Sequence, residues 1–257
     1  MRLFIDFKMH ISDNHLPLVT QKTNTMKYIL FFSIFTLVFN SVNANNRHDE
    51  DWNSKTYDVG EFTEIYLEGG YKVYLIQGDE NSIKVKASDD DVFNYLKIKN
   101  NRNVLNIKVD RNHFDYDRII LYITFKKLEK LNIEGGVRLE TKGYLDLNVF
   151  DLYVAGGAKI ELDIKAKDIQ IVGEGGVLFE LSGIAEKLDI KMSGAGHIDA
   201  NELKTKDVTI KVEGVVTGSV YATETLFAKI EGVGRIRYRG DPKVTRYIDG
   251  LGSIKKD

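Results

Sequence analysis

The sequence predicts an all-β protein, and within that class a right-handed parallel β-helix (a solenoid) of about 18–21 residues per rung, with a strand-rich portion before the repeats. Three observations carry this. A glycine returns at nearly constant spacing, apolar residues alternate on both sides of it, and 22 glycines against two prolines suit a chain of many strands and tight turns.

Repeats decide architecture before local structure does. The repeated glycine stands at Gly135, Gly156, Gly175, Gly194, Gly214, Gly232 and Gly250, at spacings of 21, 19, 19, 20, 18 and 18 residues. Before it, alternate positions are apolar, as in Leu188, Ile190 and Met192, in Val208, Ile210 and Val212, and in Leu226, Ala228 and Ile230. The same parity continues beyond it in Val177, Phe179 and Leu181, and in Ile198 and Ala200. Period two marks a strand with one buried face. Such short strands cannot cover an apolar face singly, so successive repeats must stack, about 4.8 Å apart, with inward side chains forming ladders. An antiparallel sandwich would also alternate, but gives no reason for a glycine in fixed register with the inward positions.

Three segments follow along the chain. Residues 1–44 read as an N-terminal extension and signal peptide. Met26 is the expected true start, Lys27 the charged beginning, residues 28–39 the apolar run, and Val42 with Ala44 the small residues before cleavage. The same run could instead stay as an uncleaved anchor, although it is shorter than the roughly 20 residues of a membrane span. Residues 45–130 form a strand-rich N-terminal part in which the glycine register is weak. There, 71–77 and 82–87 read as a hairpin around Gly78-Asp79-Glu80-Asn81, while 104–109 and 119–125 read as further strands. Asp89-Asp90-Asp91-Val92-Phe93 reads as the start of one helical turn. Residues 131–257 hold the glycine-anchored repeats.

Composition removes several function classes. Lys plus Arg number 36 against 38 Asp plus Glu, so no excess positive charge is available to hold a nucleic-acid backbone. The absence of cysteine excludes disulfides, thiolate metal sites, a cysteine nucleophile and a lipid-modified N-terminal cysteine.

Several pieces together carry a family likeness: Tyr71-Lys72-Val73-Tyr74-Leu75-Ile76-Gln77-Gly78-Asp79, then Ser193-Gly194-Ala195-Gly196, then Tyr238-Arg239-Gly240-Asp241-Pro242 followed by Gly250-Leu251-Gly252-Ser253. In their order, the chain from about residue 62 to 254 resembles the head GIN domain family of auto-transporter adhesins. That resemblance implies an exported protein of the Gram-negative envelope, in the periplasm or at the cell surface, with a β-helical body and no catalytic residues to carry over. The chain departs from the family pattern in placing Glu-Gly where Ser-Gly is common. It also shows no segment that reads as the outer-membrane barrel needed for self-transport.

If the inward positions lie two and four before the glycine, those one and three before it face outward. The first outward column reads Glu134, Ala155, Glu174, Ser193, Glu213, Glu231 and Asp249; the second reads Asn132, Tyr153, Val172, Lys191, Lys211, Lys229 and Tyr247. Stacked carboxylates repel unless paired, and Lys211 with Glu213 and Lys229 with Glu231 would alternate on one face. This face is either a solvated charge lattice or a contact surface. In the second case Tyr153, Tyr247, Glu174, Glu213 and Glu231 are the candidate binding residues, with the tyrosines stacking on sugar rings. No calcium-loop spacing is present, and neither metal nor cofactor is expected.

The alternative is a polysaccharide-acting lyase or hydrolase on the same fold. Glycoside hydrolysis needs two converging carboxylates, which Glu180 with Asp199 or Glu161 with Asp163 could supply. His197 is the one histidine of the repeats, and Arg235-Ile236-Arg237 could be a substrate clamp or a strand with Ile236 inward. No Gly-x-Ser-x-Gly elbow is present, and Gly173-Glu174-Gly175-Gly176 has no following helix to make a phosphate cradle. The reading that results is a non-enzymatic envelope binding, adhesin-like or scaffold module. Its partner would be a glycan, a lipid or an envelope protein, and copies could pair through the solenoid ends.

Overall fold

The computed structural model describes residues 52–109 and 119–257. The signal segment, its cleavage site and the polar stretch 110–117 lie outside them. All described residues belong to the unit spanning Glu50–Asp257.

The protein is all-β. Its elements are β1 (Asn53–Asp58), β2 (Glu64–Gln77), β3 (Ser82–Ala87), a single helical turn α1 (Val92–Tyr95), β4 (Leu96–Asn101), β5 (Val104–Val109), β6 (Ile119–Phe125), β7 (Lys130–Thr141), β8 (Leu145–Asp146), β9 (Val149–Arg239) and β10 (Lys243–Lys256). The strands join one open ten-stranded sheet with the path β1-β3-β6-β2-β7-β9-β10.

From β2 onward the main pairings are parallel and in glycine register. Gly69 lies opposite Gly135, Gly135 opposite Gly156, and Gly232 opposite Gly250. This is not the pairing of an antiparallel sandwich. β9 runs extended for 91 residues, which as a straight strand would reach about 300 Å. Instead, glycines one repeat apart lie directly against one another. A methyl group added to Gly175 would stand 2.6 Å from the carbonyl oxygen of Gly156, one on Gly194 2.5 Å from that of Gly175, and one on Gly232 2.6 Å from that of Gly214. Gly135, Gly156, Gly214 and Gly250 are pressed just as closely on Gly69, Gly135, Gly194 and Gly232. All eight glycines have φ between 102° and 138°, a region closed to residues with a side chain.

The inward parity is borne out. Ile190, Met192, Ile210, Ile230, Phe179, Ile198 and Ala200 are fully buried, and in the first turn Ile65 and Leu67 are buried just as completely. Ile236 faces inward between the exposed Arg235 and Arg237, the strand reading of that tripeptide.

The N-terminal part differs from expectation in two respects. Gly69 extends the glycine column by one turn, and Tyr71 covers its end. The Tyr71 ring is buried, its hydroxyl donates to the Glu68 carbonyl at 2.7 Å, and burial pushes its pKa up. The expected hairpin of 71–77 with 82–87 is not formed, because β6 lies between β2 and β3, parallel to the first and antiparallel to the second. Ile119, Leu121, Ile123 and Phe125 of β6 are all buried, so one face of the inserted strand lies on the core. Alternation shows that a strand has a buried face but not which strand lies beside it. The helical turn expected near 89–93 is present as α1.

Candidate binding surface

The five residues singled out from sequence fall on the outward columns, but they do not form one site. Tyr153 is half-buried and donates from its hydroxyl to Glu174 Oε2 at 3.1 Å; that hydrogen bond is the main cause of its raised pKa. Glu213 receives Lys191 at 3.6 Å rather than the expected Lys211, whose ammonium lies 5.9 Å from the Phe227 ring. Lys229 does pair with Glu231, at 2.9 Å, and this bond raises the lysine pKa. Tyr247 is 57% exposed on β10, opposite Lys229, with its ring 5.7 Å from that of Phe227. Tyr153 and Tyr247 stand five turns apart, about 24 Å at the usual strand spacing, so they cannot clasp one sugar. The column is therefore a lattice in which Glu174, Glu213 and Glu231 each already hold a partner.

The carboxylates weighed as catalytic pairs do gather. Glu161, Asp163, Glu180 and Asp199, together with Glu140 and Glu202, line a groove of about 430 Å³ over the buried Leu162 and Leu181. Most of them are engaged. Lys159 Nζ lies 2.6 Å from Glu161 and 2.9 Å from Glu180, and Lys72 lies 3.3 Å from Glu140. Arg239 reaches Glu202 at 3.3 Å, while Asp199 accepts from the Ser219 hydroxyl at 3.0 Å and from the Asn201 backbone. An ammonium shared between Glu161 and Glu180 makes a salt bridge of them, not an acid poised to protonate a leaving group beside a base. The described residues include no set of three His, Asp or Glu side chains placed to hold a metal ion. His197 is exposed and its Nδ1 lies 2.8 Å from Thr217 Oγ1.

Sequence reasoning missed a second groove, of about 690 Å³, on the neighbouring stretch of the same turns. Its walls carry Lys165, Lys167, Lys204 and Lys206, and its floor carries Leu147, Ala166, Ala185 and Thr205. The signal was available as two copies of Lys-x-Lys with a small residue between the lysines, two turns apart at 165–167 and 204–206.

The geometry can be set beside known proteins. Residues 61–242 match the family described as "Putative auto-transporter adhesin, head GIN domain". The chain belongs to this head GIN domain family. Solved structures with the same fold include a putative adhesin from Bacteroides fragilis, 21% identical, with a TM-score of 0.76 over 80% of this chain and 97% of that one. A putative lipid binding protein from Parabacteroides distasonis is 22% identical, with a TM-score of 0.62 over 80% and 96% of the two chains. A putative adhesin from Parabacteroides merdae is 21% identical, with a TM-score of 0.63 over 80% and 96%. At these identities the likeness of head GIN domain structures speaks for the fold alone. A search of curated proteins gives no match.

Proposed function

We propose that this head GIN domain protein is an exported, non-catalytic binding module of the cell envelope, adhesin-like in role, whose body winds as a right-handed parallel β-helix. Support for the winding comes from seven glycines, Gly135 to Gly250, each pressed on the glycine one repeat earlier, and from parallel register at β2–β7, β7–β9 and β9–β10. The hand follows the general right-handedness of parallel crossovers. The mature chain begins at Asn45 after removal of the segment from Met26, with 45–130 closing one end of the repeats at 131–257. Among the described residues no helix is long and apolar enough to cross a membrane.

The observation that carries the binding role is the nature of the outward faces. They are long ladders in which charges pair from turn to turn, and the acidic groove spends Lys159 on two of its carboxylates. Such faces offer area and periodicity to a glycan, a lipid or an envelope protein. The relative described as a lipid binding protein keeps lipid beside glycan as a ligand class for this chain. Copies would pair through β10, which among the described residues pairs with β9 alone and leaves Ile248 and Leu251 exposed.

The test is a glycan array with the full chain, followed by a depolymerisation assay on any glycan retained. Retention that survives Glu174→Gln or Glu213→Gln singly, with no cleavage of the glycan, is expected. Turnover abolished by Glu180→Gln or Asp199→Asn would replace this reading with the enzyme.

A further inference from the structure

We propose that the lysine-walled groove binds a long-chain fatty acid, its tail along the floor and its carboxylate on Lys167 and Lys204. The proposal rests on the binding-module reading and names a ligand class for one face of it.

The floor departs from the rest of the core. Large side chains dominate the inward ladders, with single alanines such as Ala200 and Ala228 among them, but here three consecutive levels, Ala166, Ala185 and Thr205, follow Leu147 with small residues only. Smaller side chains at consecutive levels leave depth, and the volume of about 690 Å³ lies within the usual range of pockets that hold small ligands. Thr205 is buried and its hydroxyl donates to the Leu203 carbonyl at 3.2 Å, so it offers the floor no free donor. Ile184 stands 56% exposed among the lining residues, a large apolar side chain with nothing of its own fold to cover it. The lysine stems add methylene walls below their charged ends. The lining extends over five successive turns, from Leu147 to Glu224, so the recess is about 19 Å long at the usual strand spacing.

The charges choose the sign of the headgroup. Lys165 is held by Asp146 at 2.8 Å and Lys206 faces Glu186 at 3.8 Å. Lys167 and Lys204, both exposed, have no carboxylate within ion-pair reach among the described residues. Two uncompensated ammoniums above an apolar floor match one anionic head on one tail. A polyanion is a poorer fit, because Glu186 and Glu224 stand in the same wall and the floor has few donors. The acidic groove beside it, with six carboxylates, repels the same ligand, so binding is confined to one face.

The experiment is isothermal titration of the full chain with palmitate at pH 8, beside hexadecanol, acetate and inorganic phosphate. Expected are saturable one-to-one binding of palmitate, at least tenfold weaker binding of hexadecanol, and no binding of acetate or phosphate. The Lys167→Glu, Lys204→Glu double variant should lose at least tenfold, and so should Ile184→Asp. Glu180→Gln in the acidic groove should leave the affinity unchanged, and the loss in the lysine variants rules out capture by the apolar residues 28–39. All these positions are exposed, so the fold should persist, and a thermal unfolding curve checks that it does. Failure to bind palmitate, wild-type affinity in the double variant, or phosphate binding through the same lysines would each overturn the proposal. Glycan retention on the array with no palmitate binding would remove the fatty-acid groove and leave the binding module standing.

Discussion

Gly175 and Gly176 are neighbours in sequence and opposites in role. Gly175 belongs to a column that is glycine at every turn from Gly69 to Gly250, has φ of 102°, and lies too close to the Gly156 carbonyl to admit a methyl group. Gly176 belongs to the adjoining column, where a methyl group would meet nothing within 4 Å. The molecule has already varied that second column: it reads Gly70, Gly136, Gly157 and Gly176, then Ala195, Val215, Val233 and Leu251. Its later members are conspicuous on the surface, Val215 at 61%, Val233 at 49% and Leu251 at 75% exposed. One column makes the turns possible, while the other is free to carry whatever the surface requires.

The comparison breaks first at Gly194. Gly194→Ala forces a side chain onto φ of 110° and drives it into the Gly175 carbonyl. Positive-φ strain and overlap with backbone that cannot swing aside together should cost about 4 kcal/mol. Urea unfolding would measure this; a loss under about 1 kcal/mol would mean that the column is a sequence habit and not a steric requirement. A smaller loss is expected where a side chain is trimmed without touching the turn. Ile190→Val, fully buried and four residues before Gly194, should cost about 1 kcal/mol by the same measurement.

These two positions also mark what the sequence made legible. The inward ladder could be read because burial of one strand face leaves a period-two trace, and Ile190, Met192, Ile198 and Ala200 are all buried as expected. The glycine column could be read because steric exclusion acts at every turn. Partners were less legible, since alternation carries no address. Lys191 was not foreseen as the partner of Glu213, and β6 was not foreseen between β2 and β3. Grooves were least legible of all. The acidic carboxylates were seen as pairs but not as six lining one recess, and Ala166, Ala185 and Thr205 look unremarkable until their stacking leaves a hollow.

Gly176→Ala is the sharpening partner of Gly194→Ala. Its backbone lies outside the positive-φ region and the space around it is open, so the expected change is within about 0.5 kcal/mol and can be favourable, because alanine restricts the unfolded chain more than glycine does. Equal losses at 176 and 194 would erase the distinction between the columns.

The smallest effect is expected where the first column runs out. Among the described residues β10 pairs with β9 alone, and the strand is fastened near both ends by a clasp between Asp241, just before it, and Lys256, its last residue, at 2.9 Å. The hydrogen bond from Lys256 holds the Asp241 pKa below its ordinary value and raises that of the lysine. A carboxylate with a lowered pKa stabilises the fold fully above the unfolded value of about 3.9, and this stabilisation is lost as pH falls through the lowered one. The raised lysine gives the mirror case at the alkaline end, losing its contribution as pH climbs through its own raised pKa. Because both groups are exposed, solvent screening keeps the effect local. Hydrogen exchange in β10, compared with Asp241→Asn at each pH, should show a small excess of protection at about pH 6 that is lost as pH falls through the lowered pKa of Asp241. Excess protection persisting in acid would mean that stacking on Gly232, and not the clasp, holds the last turn in place.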